Sequence, residues 1–404
     1  IEDFEFMGEW WLPNDSANKI KGILTFSPRS GGSLKLNGPL ENIQLENNRP
    51  KTEYHDIIHG RSWDGKSITL WKCSDMGSSF DIKVILEGWL FNRAEDIKFI
   101  SVDIQYSYLE GWLDSHSGFR VSPAIRERGI DVSYRQPIAI NTPINQDYSL
   151  EIQSLFKSQG LEAGTKHVEM QQELTVNIVS IGSIQERSFD EYMHMKNRFR
   201  DFLTLAISES VQTLSFDGKV RTQKNEQGKT VLTGTTVKIF YGTTNFVYPL
   251  EKISQRHILF KYSDISDRFA DFISTWFGRE QILEPVYDLY FGILHDPDMY
   301  LSNQFLSAIQ AIETHHRRTR RNNELPPENH RMRYNALVRA LPEEHRPWLE
   351  QKFASSNERT LRDRLVELVD DVFARITDLL LEDKTQFIKD LVRTRNYFTH
   401  YDPD

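Results

Sequence analysis

The chain has 404 residues, 39% of them hydrophobic and 26% charged, with a formal net charge of −9. That is enough for two or three ordinary domains. The acidic balance excludes a protein that coats nucleic acid along a broad basic surface, though not one with a small basic pocket. No apolar run reaches the length of a membrane span, and no signal-peptide pattern is visible. Cys73 is the only cysteine, which excludes an internal disulfide and any multi-cysteine zinc site and suits a reducing, cytoplasmic setting.

Residues 1–182 read as β-rich. Short apolar or alternating runs recur at Gly22–Phe26, Leu34–Leu36, Ser67–Trp71, Asp81–Leu86, Ile97–Tyr106 and His167–Val179. Turn residues punctuate them at Arg29-Ser30-Gly31-Gly32, Asn47-Asn48-Arg49-Pro50 and Asp64-Gly65. Two curved antiparallel sheets, sandwich-like, are the expected home for such strands. Trp10, Trp11, Trp63, Trp71, Trp89 and Trp112 either fill that core or line a ligand groove, and core packing is the commoner reason for buried aromatics.

Residues 183–251 read as a mixed helix and strand connector belonging with the β region. A helix is expected from Glu186 to Ser208, then strands at Val211–Phe216 and Thr230–Tyr241. Glu226-Gln227-Gly228-Lys229-Thr230 has the tail of a phosphate-binding loop, but Gln223 stands where that loop needs its first glycine. A hairpin turn is the better reading.

From residue 252 to 404 the strand signals give way to an all-α pattern. Helices are expected at Ser266–Phe277, Leu283–Leu294, Ser302–His316, Met332–Leu341, Glu344–Phe353, Leu361–Leu381 and Thr385–His400. In the longest, Leu361, Leu365, Val369, Val372, Ile376 and Leu379 keep one apolar face. Asn322–Asn329 is the main irregular loop. The densest basic cluster, His315-His316-Arg317-Arg318-Thr319-Arg320-Arg321, suits either a solvated helix end or contact with RNA phosphates.

The last helix carries the chemistry. On its wheel Ile388, Leu391, Val392, Phe398 and Thr399 share a face with Arg395, and Asn396 and His400 are four residues apart. The pattern R-N-x3-H, Arg395 to His400, is weak when bare: Arg339 with His345 and Arg187 with His194 are near matches. The first of these contains Pro342 and is not expected to be helical. The plain reading makes Arg395 a structural ion pair and His400 a helix cap. Glu313, beside the Phe305, Ile309 and Ile312 stripe, is a candidate partner for Arg395, and Arg364 a second structural arginine.

Context adds weight to a chemical reading. Trp276-Phe277, Val286-Tyr287-Asp288-Leu289-Tyr290, Tyr300-Leu301, Phe305–Glu313, His315-His316-Arg317, Leu361–Leu365 and the Arg395–His400 helix follow one another in order. This succession resembles the ApeA-like branch of the HEPN superfamily. Gly8-Glu9-Trp10-Trp11-Leu12-Pro13, Gly22–Phe26 and Leu34–Gly38 resemble the ApeA N-terminal domain. The fold class expected is therefore α+β, a β-rich region followed by an all-α HEPN bundle.

The resemblance implies a metal-independent endoribonuclease of bacterial abortive anti-phage defence, with host RNA, and tRNA at the anticodon loop in particular, as substrate. Arg395, Asn396 and His400 are then the catalytic residues, Glu313 supports them, and Arg317, Arg318, Arg320 and Arg321 contact RNA. No cofactor and no metal is expected. The partners implied are RNA, a second copy of the chain through the HEPN domain, higher oligomers, and an unidentified phage-derived trigger, with no membrane. Two other readings stay open: a catalytically silent HEPN module that binds RNA or a partner protein, and a carbohydrate-binding β region with a helical oligomerisation domain.

Overall fold

The computed structural model describes residues 2–40, 45–46, 49–50, 54–76, 79–114, 117–124, 129–158, 170–181, 185–226, 229–243, 258–296, 298–371 and 380–401. The chain forms two compact units, Ile1–Gly278 and Arg279–Asp404. The short helices Tyr262–Ile265 and Phe269–Gly278 thus belong with the β unit, whereas the sequence reading began its helical region at residue 252.

The first unit is built on strand alternation. In Ile20–Ser27 the side chains of Leu24 and Phe26 are buried while Lys21 and Thr25 face out, as a pleated strand with one wet face requires. Where the sequence suggested two stacked sheets, hydrogen bonding runs through twelve strands as one antiparallel sheet. Six of them close into a barrel, in ring order Phe4–Trp11, Tyr54–Ser62, Ser67–Asp75, Phe80–Glu87, Gly31–Leu36 and Ile20–Ser27. Closure removes the exposed edges that would otherwise template aggregation.

Phe80–Glu87 is the junction. One edge pairs along its length with Ser67–Asp75. The other pairs through Phe80–Ile82 with Gly32–Leu34, then through Val84–Glu87 with Lys238–Tyr241. From there the sheet continues through Thr213–Glu226, Ser101–Tyr106, Met170–Ser180, Tyr148–Ser158 and Ile140–Pro143. The hairpin expected near Glu226 is present in the register Glu226 opposite Lys229, although residues 227–228 lie outside the described residues.

Two cores result. One fills the barrel with Trp10, Leu24, Leu34, Ile58, Ile68, Leu70 and Ile85. Trp10 fits because position 60 is glycine: a Cβ there would fall 2.2 Å from the indole ring. The other lies under the helix Phe189–Ile207, where Val102, Ile104, Val176 and Ile178 meet Phe199, Phe202 and Leu203. Ser188 and Glu191 form a reciprocal capping box that starts this helix. Trp10, Trp11, Trp71 and Trp112 are core residues, while Trp63 is exposed.

The second unit is helical: Glu280–His295, Leu301–Thr319, Pro327–Ala340, Arg346–Phe353, Leu361–Asp371 and Lys384–His400. The Pro327 helix ends at Ala340, so Arg339 and His345 do not share a helix, as Pro342 led us to expect. Val372, Ile376 and Leu379 lie outside the described residues. The helices Leu301–Thr319, Leu361–Asp371 and Lys384–His400 pack mutually. The apolar seam between the last two is Leu365, Val369 and Ile388, flanked by Leu361, Leu391 and Val392.

Candidate active site

The terminal helix Lys384–His400 begins at Asp383, whose side chain accepts from the backbone of Gln386. It stops at Tyr401, which adopts a left-handed conformation with φ 52°. Ile388 is buried and Leu391 and Val392 are half-buried against the Leu361–Asp371 helix, so the apolar stripe faces inward. Phe398 continues it, with its ring 5.9 Å from that of Phe305.

Arg395 is half-buried on the same stripe, and Asn396 and His400 are exposed. Five residues of helix turn Arg395 and His400 about 140° apart around the axis. Asn396 narrows the gap. Its Oδ1 accepts from Nη1 of Arg395 at 3.2 Å, and its side chain sits one turn below His400. Arg395 has no carboxylate partner among the described residues, and neither does His400. The three residues are thus presented together at one helix end, with the guanidinium drawn toward the histidine side.

Glu313 does not serve Arg395. Its Oε1 accepts from Arg364 Nη1 at 2.7 Å and from Arg317 Nε at 3.2 Å. The reason is depth: Arg364 is fully buried and needs a counter-charge, while Arg395 reaches water. Burial and neighbouring Arg317 push the Arg364 guanidinium below its ordinary range, with Glu313 opposing. Arg364 is therefore a structural arginine, the role the sequence suggested for it.

The basic cluster is largely engaged. Arg317 also bonds Glu358 at 3.3 Å, Arg318 donates to the carbonyls of Gln281 and Ile282, and Arg320 bonds Glu367 and Asp371 at 3.0 and 2.8 Å. Arg321 is exposed with no partner among the described residues. His316, read as part of a solvated helix end, is instead fully buried, with Nε2 3.1 Å from Glu367. Hydrogen bonds from Arg320 and His316 hold the Glu367 carboxyl below its usual value. Sequence reasoning missed Glu367. The signal was available: Glu313, His316, Arg317 and Arg320 form a polar stripe at helical spacing, matched by Arg364, Glu367 and Asp371 on the next long helix.

Among the described residues, no three His, Cys, Asp or Glu side chains are grouped to hold a metal ion. None of the described helices is long and apolar enough to cross a membrane.

A β unit that contains a closed six-stranded barrel, followed by a helical unit carrying R-N-x3-H on its last described helix, defines the class: a β domain joined to a HEPN bundle. Comparison with family models agrees. ApeA N-terminal domain 1 matches residues 5–276, and Apea-like HEPN matches residues 306–404. The chain belongs to this ApeA family. No curated protein and no solved structure matches it. HEPN domains as a class are associated with RNA cleavage and commonly dimerise.

Proposed function

We propose that the chain is an endoribonuclease that works without a metal, with the end of the terminal helix as its active site. One observation carries the reading. His400, Asn396 and a guanidinium without a carboxylate partner among the described residues sit together on an accessible helix end. Those groups suffice when the substrate brings its own nucleophile. The ribose 2′-OH attacks the adjacent phosphorus, the bond from phosphorus to the 5′-oxygen of the next nucleotide breaks, and the His400 imidazole either takes the 2′ proton or gives one to that leaving oxygen. Arg395 stabilises the charge that develops on the phosphoryl oxygens. Asn396 holds the guanidinium on the histidine side. DNA has no 2′-OH and cannot react this way.

The family supports a role in bacterial abortive defence, with tRNA at its anticodon loop as the proposed substrate and the first unit as the sensor of a phage-derived trigger. A homodimer through the HEPN unit, and higher oligomers, complete the proposal. Incubating the protein with total RNA in excess EDTA tests it. Discrete fragments ending in a 2′,3′-cyclic phosphate, or its hydrolysed form, are expected. A strict need for added Mg²⁺, or 3′-hydroxyl ends, overturns the mechanism.

A second reading has its own observation. His400 has no orienting partner among the described residues, which suits a HEPN module that binds RNA or a partner protein without cutting. RNA that is bound but left intact, even with trigger-exposed cell extract added, selects that reading.

A further inference from the structure

The exposed face of the terminal helix carries aromatic rings as well as polar groups. Tyr397 is 48% exposed and Tyr401 68% exposed. Around the axis, Asn396 lies about 40° to one side of His400 and Tyr397 about 60° to the other. Tyr401 follows His400 directly, and its ring centroid is 6.0 Å from that of Tyr397 at an interplanar angle of 64°. Two phenol rings therefore border the histidine. Burying them inside the unit would be the ordinary use of such side chains, as Phe398 against Phe305 illustrates.

The charge around them favours a polyanion. Lys384–His400 holds four basic residues, Lys384, Lys389, Arg393 and Arg395, against one acidic residue, Asp390, in a chain of net charge −9. Lys389 and Arg393 are exposed and fall on the same side as Tyr397 and His400 at helical spacing. Aromatic faces interleaved with cations are how proteins hold single-stranded nucleic acid, with rings stacking bases and cations following phosphates.

We infer that Tyr397 and Tyr401 are base-stacking residues that hold unpaired RNA bases on either side of the phosphate to be cut. This rests on the ribonuclease reading and adds the form of RNA it accepts. Sandwiching one base between two rings needs parallel planes separated by two contacts of about 3.5 Å. Rings inclined at 64° cannot do that, so each tyrosine takes its own base. Bases within a duplex offer no free face, so paired RNA is rejected at this step. Tyr397 and Tyr401 are specificity residues, and Arg395 and His400 remain the reacting pair.

The test reads binding, not cleavage. Full-length protein is titrated into a short fluorescent 2′-O-methyl oligoribonucleotide of mixed sequence, whose blocked 2′ position prevents reaction. The same oligonucleotide is also offered annealed to its complement and as an abasic version. Wild type is expected to prefer the single strand. Tyr397→Leu and Tyr401→Leu are each expected to weaken it by about tenfold, while the Phe variants keep it. The abasic strand should bind wild type and both Leu variants alike.

Leu variants that bind the single strand as wild type does overturn the inference and leave the ribonuclease reading standing. A Leu variant that changes the oligomeric state by light scattering also overturns it, because the face is then a contact between copies. Wild type that binds none of the three probes overturns both readings.

Discussion

Glu313 Oε1 lies 2.7 Å from Nη1 of Arg364, a fully buried arginine whose Nε and Nη2 have no hydrogen-bond partner among the described residues. One carboxylate thus carries most of the neutralisation of a buried cation. Such pairs contribute little net stability over an apolar pair, but removing one partner is costly. Glu313→Ala is expected to lower the unfolding free energy of the helical unit by about 3–5 kcal/mol. Glu313→Leu with Arg364→Met is expected to recover most of that. Denaturant titration followed by circular dichroism measures both. A single variant as stable as wild type would show that water already satisfies the pair.

His400 and Arg395 answer differently. His400 is exposed and Arg395 half-buried, so His400→Ala should move stability by no more than about 0.5 kcal/mol and Arg395→Ala, which loses some packing of its stem, by about 1 kcal/mol. His400→Ala and Arg395→Ala are nonetheless expected to abolish RNA cleavage and toxicity to the expressing cell. Asn396→Ala should reduce cleavage less, by about tenfold to a hundredfold, since it positions the guanidinium without taking the proton. Full cleavage by His400→Ala would move the site elsewhere.

Two carboxyls, one in each unit, should respond to pH in opposite directions. Glu367 has its folded pKa depressed by Arg320 and His316, so its contribution to stability is present above its ordinary value of 4.5 and is lost as pH falls. Asp217 in the sheet is the reverse. Burial raises its pKa to about 6, with Lys238 partly offsetting this and Asp103 and Glu87 adding to it. Its charged form is therefore disfavoured in the folded state, and the penalty appears as pH rises from 3.8 through about 6. Glu367→Gln should lower the melting temperature of the helical unit at neutral pH but not at about pH 3. Asp217→Asn should raise that of the β unit at neutral pH but not at about pH 3. Calorimetric scans at the two pH values read both, and shifts that persist at low pH would refute the linkage.

Much of this was legible beforehand. Period-3.6 stripes found Pro327–Ala340, which has no buried residue, only from Met332 onward; they placed Leu301–Thr319 and Lys384–His400 because each turns an apolar face to a neighbour. Alternation found Ile20–Ser27 and Phe80–Glu87 for the same reason. Phe4–Trp11 and Tyr54–Ser62 escaped because glycine, histidine and charged residues interrupt their apolar pattern, and distant pairing makes them strands; Tyr148–Ser158 was missed although Tyr148, Leu150 and Ile152 alternate with polar residues. Barrel closure was equally hidden, since it depends on Phe80–Glu87 pairing with Ser67–Asp75 along one edge and with Gly32–Leu34 along the other. At the site, the wheel placed Arg395 on the buried stripe correctly. It could not decide which cation Glu313 would serve, because that depends on which arginine is cut off from water.

The same wheel bears on assembly. An arginine amid Ile388, Leu391, Val392 and Phe398 is the pattern expected of a stripe that a second chain covers. The stripe is covered within the chain, by Leu365, Val369 and Phe305, so a charge placed at Leu391 would test folding and not association. What remains for a dimer is angular. With Arg395 and His400 about 140° apart on one helix, two copies facing each other let the arginine of one meet the histidine of the other across a phosphate. The expected signature is complementation. Arg395→Ala and His400→Ala proteins, each inactive alone, are expected to regain about a quarter of wild-type cleavage when mixed and allowed to exchange, since half the dimers are mixed and each holds one complete site. Light scattering at the assay concentration should give at least twice the chain mass, in multiples of the dimer. A wild-type monomer with full activity, or a mixture as inactive as its components after exchange has been verified, would leave each chain to cut RNA with its own arginine and histidine.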